Sequence, residues 1–424
     1  MASELIFYPA VFIGLFTTIF FLITFFADMD RPRRDPSLRP KVTVCVPCWN
    51  DADTIGRTIQ SLLELDYPKD KLEIIVVENN KSTDGTYDEA KKFEKPGVKV
   101  FSIKEGGKGR AMNFALTKAT GEIFGGLDSD SYVAPDALKK MVEFFADPKV
   151  MAVTPTLKVY QPKTIWQHIQ AVEYLYGVFL RKTFALLDSL HVTPGPFTMY
   201  RKEFFDKYGG YDDDNITEDM EIALRIQSKH YRIENTIDAN IYTSSPQKFM
   251  PLFRQRVRWY LGLVENVPRY KNLFSFEYGI LGVFILPLAF YSIFFSISLF
   301  FYTIYSWLRG NLQQFATASA VNFDFINLAK TNDSYLFYVL PGVIGALSIV
   351  VLAMGIISFY IAAKYSNEDY KILFSYIFYY PLYLSMYAIW WLATIWQKIF
   401  GKELRFGGVV WRNSWRNALL QHRS

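Results

Sequence analysis

The sequence predicts an α/β domain, a parallel sheet with helices on both faces, inserted between membrane-spanning helices. Three observations predict it. Four long stretches carry no Asp, Glu, Lys or Arg: Leu5–Phe26 (22 residues), Tyr278–Leu308 (31), Ser334–Ala363 (30) and Ile372–Gln397 (26). Residues 42 to about 160 alternate short β-branched runs with helical spacing, the rhythm of strand–helix units. Acidic and amide residues directly follow three of those runs, where ligands sit on such sheets. The 424 residues carry 46 Lys and Arg against 41 Asp and Glu, a net charge of +5. The uneven spread of charge excludes a wholly soluble protein, a disordered chain and a pure membrane bundle, and a net +5 is too small and too dispersed to argue for nucleic acid.

Leu5–Phe26 is long enough for a bilayer core, which takes about 20 apolar residues. It lacks a basic leader and is too long for a signal peptide, so it reads as a retained anchor within residues 1–28. Arg31, Arg33, Arg34, Arg39 and Lys41 follow it, which places the soluble insert in the cytoplasm. The expectation is a multi-pass cell-membrane protein with a cytoplasmic catalytic domain over 40–245.

Within the insert, Val42–Val46 reads as a strand, Asp53–Leu65 as a helix and Glu73–Glu78 as a second strand. A helix follows Thr83–Thr86. Val98–Ile103 precedes helix Lys108–Ala119, and Glu122–Leu127 precedes helix Pro135–Phe145. Cys45 and Cys48 spell C-x-x-C, but no second pair exists and His168, His191, His230 and His422 are scattered. A structural zinc site needs four ligands, so the cysteines read as small strand-end residues.

The strand ends are polar. The first ends in Pro47-Cys48-Trp49-Asn50-Asp51, the second in Glu78-Asn79-Asn80-Lys81, the fourth in Leu127-Asp128-Ser129-Asp130. Asp53 and Asp84 read as turn or capping residues. Asp128 and Asp130, two apart past a buried strand, would repel each other unless a cation lay between them. Hard divalent cations take carboxylate oxygens and leave room for substrate phosphates, as a nucleotide diphosphate needs. Gly106-Gly107-Lys108 opens a helix whose N-terminus favours phosphate, without Walker A spacing. Thr217-Glu218-Asp219 precedes an amphipathic stretch and reads either as a capped helix start or as a general base. Gln255-Arg256-Val257-Arg258-Trp259 lies in a basic aromatic helix (246–276), whose bland reading puts Lys248, Arg254 and Arg256 near lipid headgroups.

Residues 277–397 read as a membrane bundle. Four simple spans would put the basic tail 398–424 outside, against its charge. One aromatic segment is therefore expected to be re-entrant, interfacial or a hairpin. The tail carries Lys398, Lys402, Arg405, Arg412, Arg416 and Arg423.

These motifs together resemble membrane-integrated processive family 2 glycosyltransferases, the group of cellulose, chitin, hyaluronan and poly-N-acetylglucosamine synthases. The resemblance covers roughly residues 40–265. It rests on Pro47–Asp51, Lys108–Asn113, D-x-D at Asp128–Asp130, T-E-D at Thr217–Asp219 and Q-x-x-R-W at Gln255–Trp259, in that order. Gly195-Pro196-Phe197-Thr198-Met199-Tyr200-Arg201 looks like the G-P-x-x-M-Y-R segment of hyaluronan and chitin synthases.

The resemblance implies a GT-A fold and inverting sugar transfer from a nucleotide-diphosphate sugar, most simply a UDP-sugar, with Mg²⁺ or Mn²⁺. It implies Asp219 as base beside Glu218. Asp51, Glu78, Lys108, Asp128, Gln255 and Arg258 would hold the donor. Asp130 with Asp128 would ligate the metal, and Trp259, Gly195 and Pro196 would meet the acceptor. The partners expected are the donor, a carbohydrate or lipid-linked acceptor and the bilayer. Where the family usually has Asp-Asp-Gly or Asp-Gly, this chain has Glu78-Asn79-Asn80-Lys81, so base and ribose recognition should differ. The leading expectation is a polymerising enzyme. The alternatives are single-sugar transfer to a membrane lipid and a degenerate, non-enzymatic scaffold.

Overall fold

The computed structural model describes residues 2–27, 34–79, 82–320, 343–368, 372–401, 403–406 and 409–412. Arg31, Arg33, Asn80, Lys81, Lys402, Arg416, Arg423 and His422 lie outside them. Helix α1 (Ala2–Phe26) is followed by β1 (Val42–Cys48), α2 (Ala52–Leu63), β2 (Leu72–Asn79), α3 (Thr86–Lys91), β3 (Val98–Ile103) and α4 (Lys108–Lys118). Then come β4 (Ile123–Gly126), β5 (Ser131–Val133), α5 (Ala137–Val142), β6 (Val150–Val159), α6 (Ile165–Leu186) and β7 (Met199–Arg201). The chain continues through α7 (Lys202–Tyr208), α8 (Glu218–Ser228), β8 (Arg232–Thr243), α9 (Phe249–Arg269), α10 (Leu286–Ala320), α11 (Val343–Tyr365) and α12 (Ile372–Phe400). A hairpin, β9 (Glu403–Phe406) and β10 (Val409–Arg412), comes last.

The expected parallel order holds for β3-β2-β1-β4. Every residue of β1 and β2 is buried, as a sheet covered on both faces requires. Strand alternation sorts them: Val44, Val46, Ile74 and Val76 pack with Ile55, Ile59 and Leu62 of α2. Cys45, Ile75 and Val77 pack on the other face with Ala111, Met112 and Ala115 of α4. Both cysteines are free and buried, which raises their thiols, as the bland reading requires.

Beyond β4 the sheet departs from the all-parallel expectation. It continues β7-β6-β8-β5, with β7 antiparallel to β4 and β6, and β5 antiparallel to β8. The result is a mixed eight-stranded sheet. Short β7 has three residues and gives too little periodicity to read from sequence.

Among the described residues three helical stretches, Phe7–Phe26, Leu281–Ala316 and Gly345–Tyr365, are long and apolar enough to cross a membrane. Residues 372–400 form one continuous helix. Helix α6 joins the two parts. Thr164 and Gln167 form a reciprocal capping box at its start. Its Ile169, Val172, Leu175 and Phe179 share an apolar cluster with Phe21 and Phe25 of α1, Phe359 of α11 and Tyr379 of α12.

Candidate active site

The sheet delivers its polar strand ends to one side, and the N-termini of α4 and α8 face them. A cavity of about 1480 Å³ lies there. Asp51, Lys108, Asp128, Asp130, Gly195, Pro196, Glu218, Asp219, Gln255, Arg258 and Trp259 all line it. Residues over 200 apart in sequence thus meet in one chamber.

Asp51 accepts hydrogen bonds from the Trp49 N–H (2.8 Å) and the Ser129 hydroxyl (2.6 Å), which ties the first strand end to the D-x-D turn. Burial pushes the Asp51 carboxyl up. Burial, with Asp128 and Asp51 beside it, pushes Asp130 up to about 7. Lys108 opens α4 and donates to Asp128, with Glu218 Oε1 3.8 Å away. Burial opposes the Lys108 charge, but Asp128 and Glu218 outweigh it and hold the ammonium above its ordinary range. Burial also raises Glu218, against the pull of Lys108. Gly195 makes room for this pair: a Cβ there would lie 2.5 Å from Lys108 Nζ.

The excess of carboxyls over ammonium fits a hard divalent cation. Among the described residues no group of three or more His, Cys, Asp or Glu could hold an ion alone. A cation here would rest on Asp130 and Asp128, its other ligands coming from substrate phosphates and water.

Glu78 does not reach the cavity. Its carboxylate accepts from the Ser82 N–H (3.2 Å) and the Ser102 hydroxyl (2.7 Å), fastening β2 to β3 and the following turn. Asn79 lines the cavity instead, and its buried Oδ1 has no hydrogen-bond partner. Asp84 accepts from the Thr86 N–H (3.1 Å) and the Ala52 N–H (3.1 Å), the turn role expected of it.

Helix α8 begins at the T-E-D motif, yet Thr217 does not cap it with its side chain. The Thr217 hydroxyl accepts from Asn266 of α9 (3.2 Å). Gly262 of α9 permits this approach, since a Cβ there would meet Thr217 Oγ1 at 2.0 Å. The Asp219 carbonyl accepts from the Thr193 hydroxyl (2.6 Å), and its carboxylate from the Met220 N–H (2.9 Å). Arg258 donates to the Ile216 carbonyl (3.1 Å) one residue before the motif.

Arg256 is not at the headgroups. It is fully buried, and its Nη2 lies 2.5 Å from Glu173 Oε2 of α6. It donates to Gln255 Oε1 (2.8 Å), and its guanidinium stands 4.1 Å from the Trp259 ring centre. The other Glu173 oxygen accepts from the Tyr383 hydroxyl (3.1 Å). Lys248 and Arg254 are exposed, as expected.

Sequence reasoning also missed a ladder on α12. Tyr379, Tyr383, Tyr387 and Trp391 recur every four residues and all line the cavity. Tyr379 and Tyr383 have ring centres 4.5 Å apart, and Trp391 stacks on Tyr260 at 4.7 Å. The four-residue spacing was the available signal. From Trp259 the cavity continues along this ladder to Leu286 and Ile293 of α10 and Val351 of α11.

Residues 43–209 match the profile described as Glycosyl transferase family 2. Over 226 residues the chain is 32% identical to the poly-beta-1,6-N-acetyl-D-glucosamine synthase of Staphylococcus aureus strain MSSA476, covering 52% of this chain and 54% of that protein. It is 28% identical over 268 residues to the synthase of the same name from Staphylococcus epidermidis, covering 61% of this chain and 64% of that protein. The chain thus spans about half to two thirds of these curated relatives. Among solved structures, the mannosyltransferase PcManGT from Pyrobaculum calidifontis, in complex with GDP-Man and Mn²⁺, superposes with a TM-score of 0.54. It is 27% identical, covering 64% of this chain and 75% of that one. Residues 43–209 thus resemble family 2 glycosyltransferases, and the fold around them is GT-A-like.

Proposed function

We propose that this chain is an inverting glycosyltransferase that extends a polysaccharide at the membrane from a nucleotide-diphosphate sugar and passes the product along its membrane helices. One observation carries this reading: a single cavity joins the carboxylates at the strand ends to the aromatic ladder of α12. Aromatic faces suit sugars, and the ladder supplies such faces from Trp259 onward.

In this reading Asp219 takes the proton from the acceptor hydroxyl. The freed oxygen bonds to the anomeric carbon as the carbon–oxygen bond to the diphosphate breaks, with inversion. Lys108 and Arg258 hold the charge that grows on the departing diphosphate. Gln255, Asp51 and Asp128 position the donor, and Glu218 sets the field around Lys108 and Asp219. Trp259, Gly195 and Pro196 form the acceptor end. A Mg²⁺ or Mn²⁺ on Asp130 and Asp128 would neutralise the diphosphate. The donor base is read by Asn79 in place of Glu78, because only Asn79 of the two lines the cavity. The relatives named for poly-N-acetylglucosamine make UDP-N-acetylglucosamine the first donor to try, and PcManGT makes GDP-mannose the second. The domain then lies on the cytoplasmic side of a multi-pass membrane protein, held there by the basic residues after α1.

A second reading is transfer of one sugar to a membrane lipid. The apolar walls at Leu286, Ile293 and Val351 favour it. Labelled UDP-N-acetylglucosamine and GDP-mannose, supplied with Mn²⁺ to the purified protein in lipid nanodiscs, separate the two. Products of many sugars, sized by gel filtration, support polymerisation. A single labelled lipid, extractable into organic solvent, replaces it with the second reading.

A further inference from the structure

Arg181 of α6 lines the same cavity, away from any role above. Its Nε and Nη2 are buried with no hydrogen-bond partner, and it forms no ion pair among the described residues. Guanidinium stays charged at any physiological pH, so burying it without a partner is costly. Burial pulls it down to about 10, with Tyr174 acting against that.

The helix that carries it packs against α1, which is long and apolar enough to cross a membrane. Two ring contacts bracket it on α6: Phe179 with Phe25 (5.3 Å) and Phe184 with Phe21 (5.5 Å), both on the last turns of α1. Arg181 thus stands at the depth where α1 leaves its apolar span. Thr18 of α1 and Leu286 of α10 line the cavity with it. Gly177, one turn earlier, keeps space open: a Cβ there would lie 3.0 Å from Arg181 Nη1.

We propose that Arg181 holds the free phosphomonoester of an anionic membrane lipid in a subsite at the bilayer margin of the cavity. The planar fork of guanidinium matches phosphate oxygens two at a time. A neutral sugar chain on the aromatic ladder would leave the charge unanswered, whereas an anionic headgroup at this depth answers it and its tail meets apolar walls. The site goes beyond the sugar-transfer reading and is measured without any donor.

The test is native mass spectrometry of the full-length protein in neutral detergent, titrated with phosphatidic acid or phosphatidylcholine. The wild type should retain one phosphatidic acid about tenfold more tightly than phosphatidylcholine. Arg181→Gln should lose that preference, and Arg181→Lys should keep part of it. Inorganic phosphate at millimolar level is the second arm. Failure to displace the lipid shows that the tail contributes; full displacement with equal affinity overturns a lipid site in favour of a free-anion site. Equal retention of both lipids by the wild type, or unchanged preference in Arg181→Gln, also overturns it. So does displacement by a glucuronate oligosaccharide, which would assign Arg181 to an acidic sugar. Should the Gln variant not fold, the wild type still decides. Phosphatidic acid must protect Arg181 from phenylglyoxal in peptide mapping, and lack of protection sinks the site.

Discussion

Glu173→Gln removes the charge that faces a fully buried arginine. Arg256 has no exposure to solvent, and its one carboxylate partner among the described residues is 2.5 Å away on another helix. Glutamine keeps an oxygen for Tyr383 but leaves the guanidinium without a counter-charge. Breaking a buried pair from one side costs about 3–5 kcal/mol. At about 2–4 °C per kcal/mol for a domain of this size, the melting temperature should fall by about 6–20 °C. The assay is fluorescence-detected gel filtration after heating in detergent, on Glu173→Gln, Arg256→Met and the double variant. The double variant should regain most of the loss, because neither buried charge remains. In Arg256→Met the Trp259 ring loses its guanidinium neighbour, so that variant should shorten products while donor affinity stays within about threefold. A Glu173→Gln protein melting within about 3 °C of wild type, or a double variant losing the sum of the singles, would refute the buried-pair account.

Asp219→Asn should lower transfer by about 10²–10⁴-fold while calorimetric donor binding persists; near-normal turnover removes the base assignment. Gly262→Ala puts a Cβ onto Thr217 and should cost about 1–3 kcal/mol while driving T-E-D away from Q-x-x-R-W. Its check is a lowered melting temperature together with lost activity. Burial alone would raise the Glu73 carboxyl, but bonds from Lys99 (2.8 Å), Thr120 (2.9 Å) and Thr43 (2.7 Å) outweigh it and bring it down to about 2. A depressed carboxyl stabilises above its unfolded value, so about 3 kcal/mol should be lost as pH falls from about 4.5 to 2. Glu73→Gln should flatten that part of the melting-temperature profile, and an unchanged slope would assign it to other groups.

The α/β core was legible because its signals are local. The β1 and β2 runs are continuous and apolar, and Ile55, Ile59 and Leu62 keep helical spacing. The strand-end acids were legible for the same reason, since the end of a buried strand is itself a position in the fold. Glu78 was misplaced because alternation, invisible in a four-residue polar string, turns it toward Ser102 and leaves Asn79 facing the cavity. Arg256 was misread because an arginine beside a membrane looks superficial until its partner is known, and Glu173 lies 83 residues earlier. The antiparallel insertion of β7 depends on long-range pairing that no three-residue window records.

Helix α6 has a practical consequence. Its Ile169, Val172, Leu175 and Phe179 are covered with the help of α1, α11 and α12, the first two long and apolar enough to cross a membrane. Cutting the α/β domain free at its sequence borders would strip that cover and leave a greasy stripe on an otherwise water-compatible body. Such a fragment should clump on expression, and a usable soluble version would need those four positions redesigned rather than its ends trimmed.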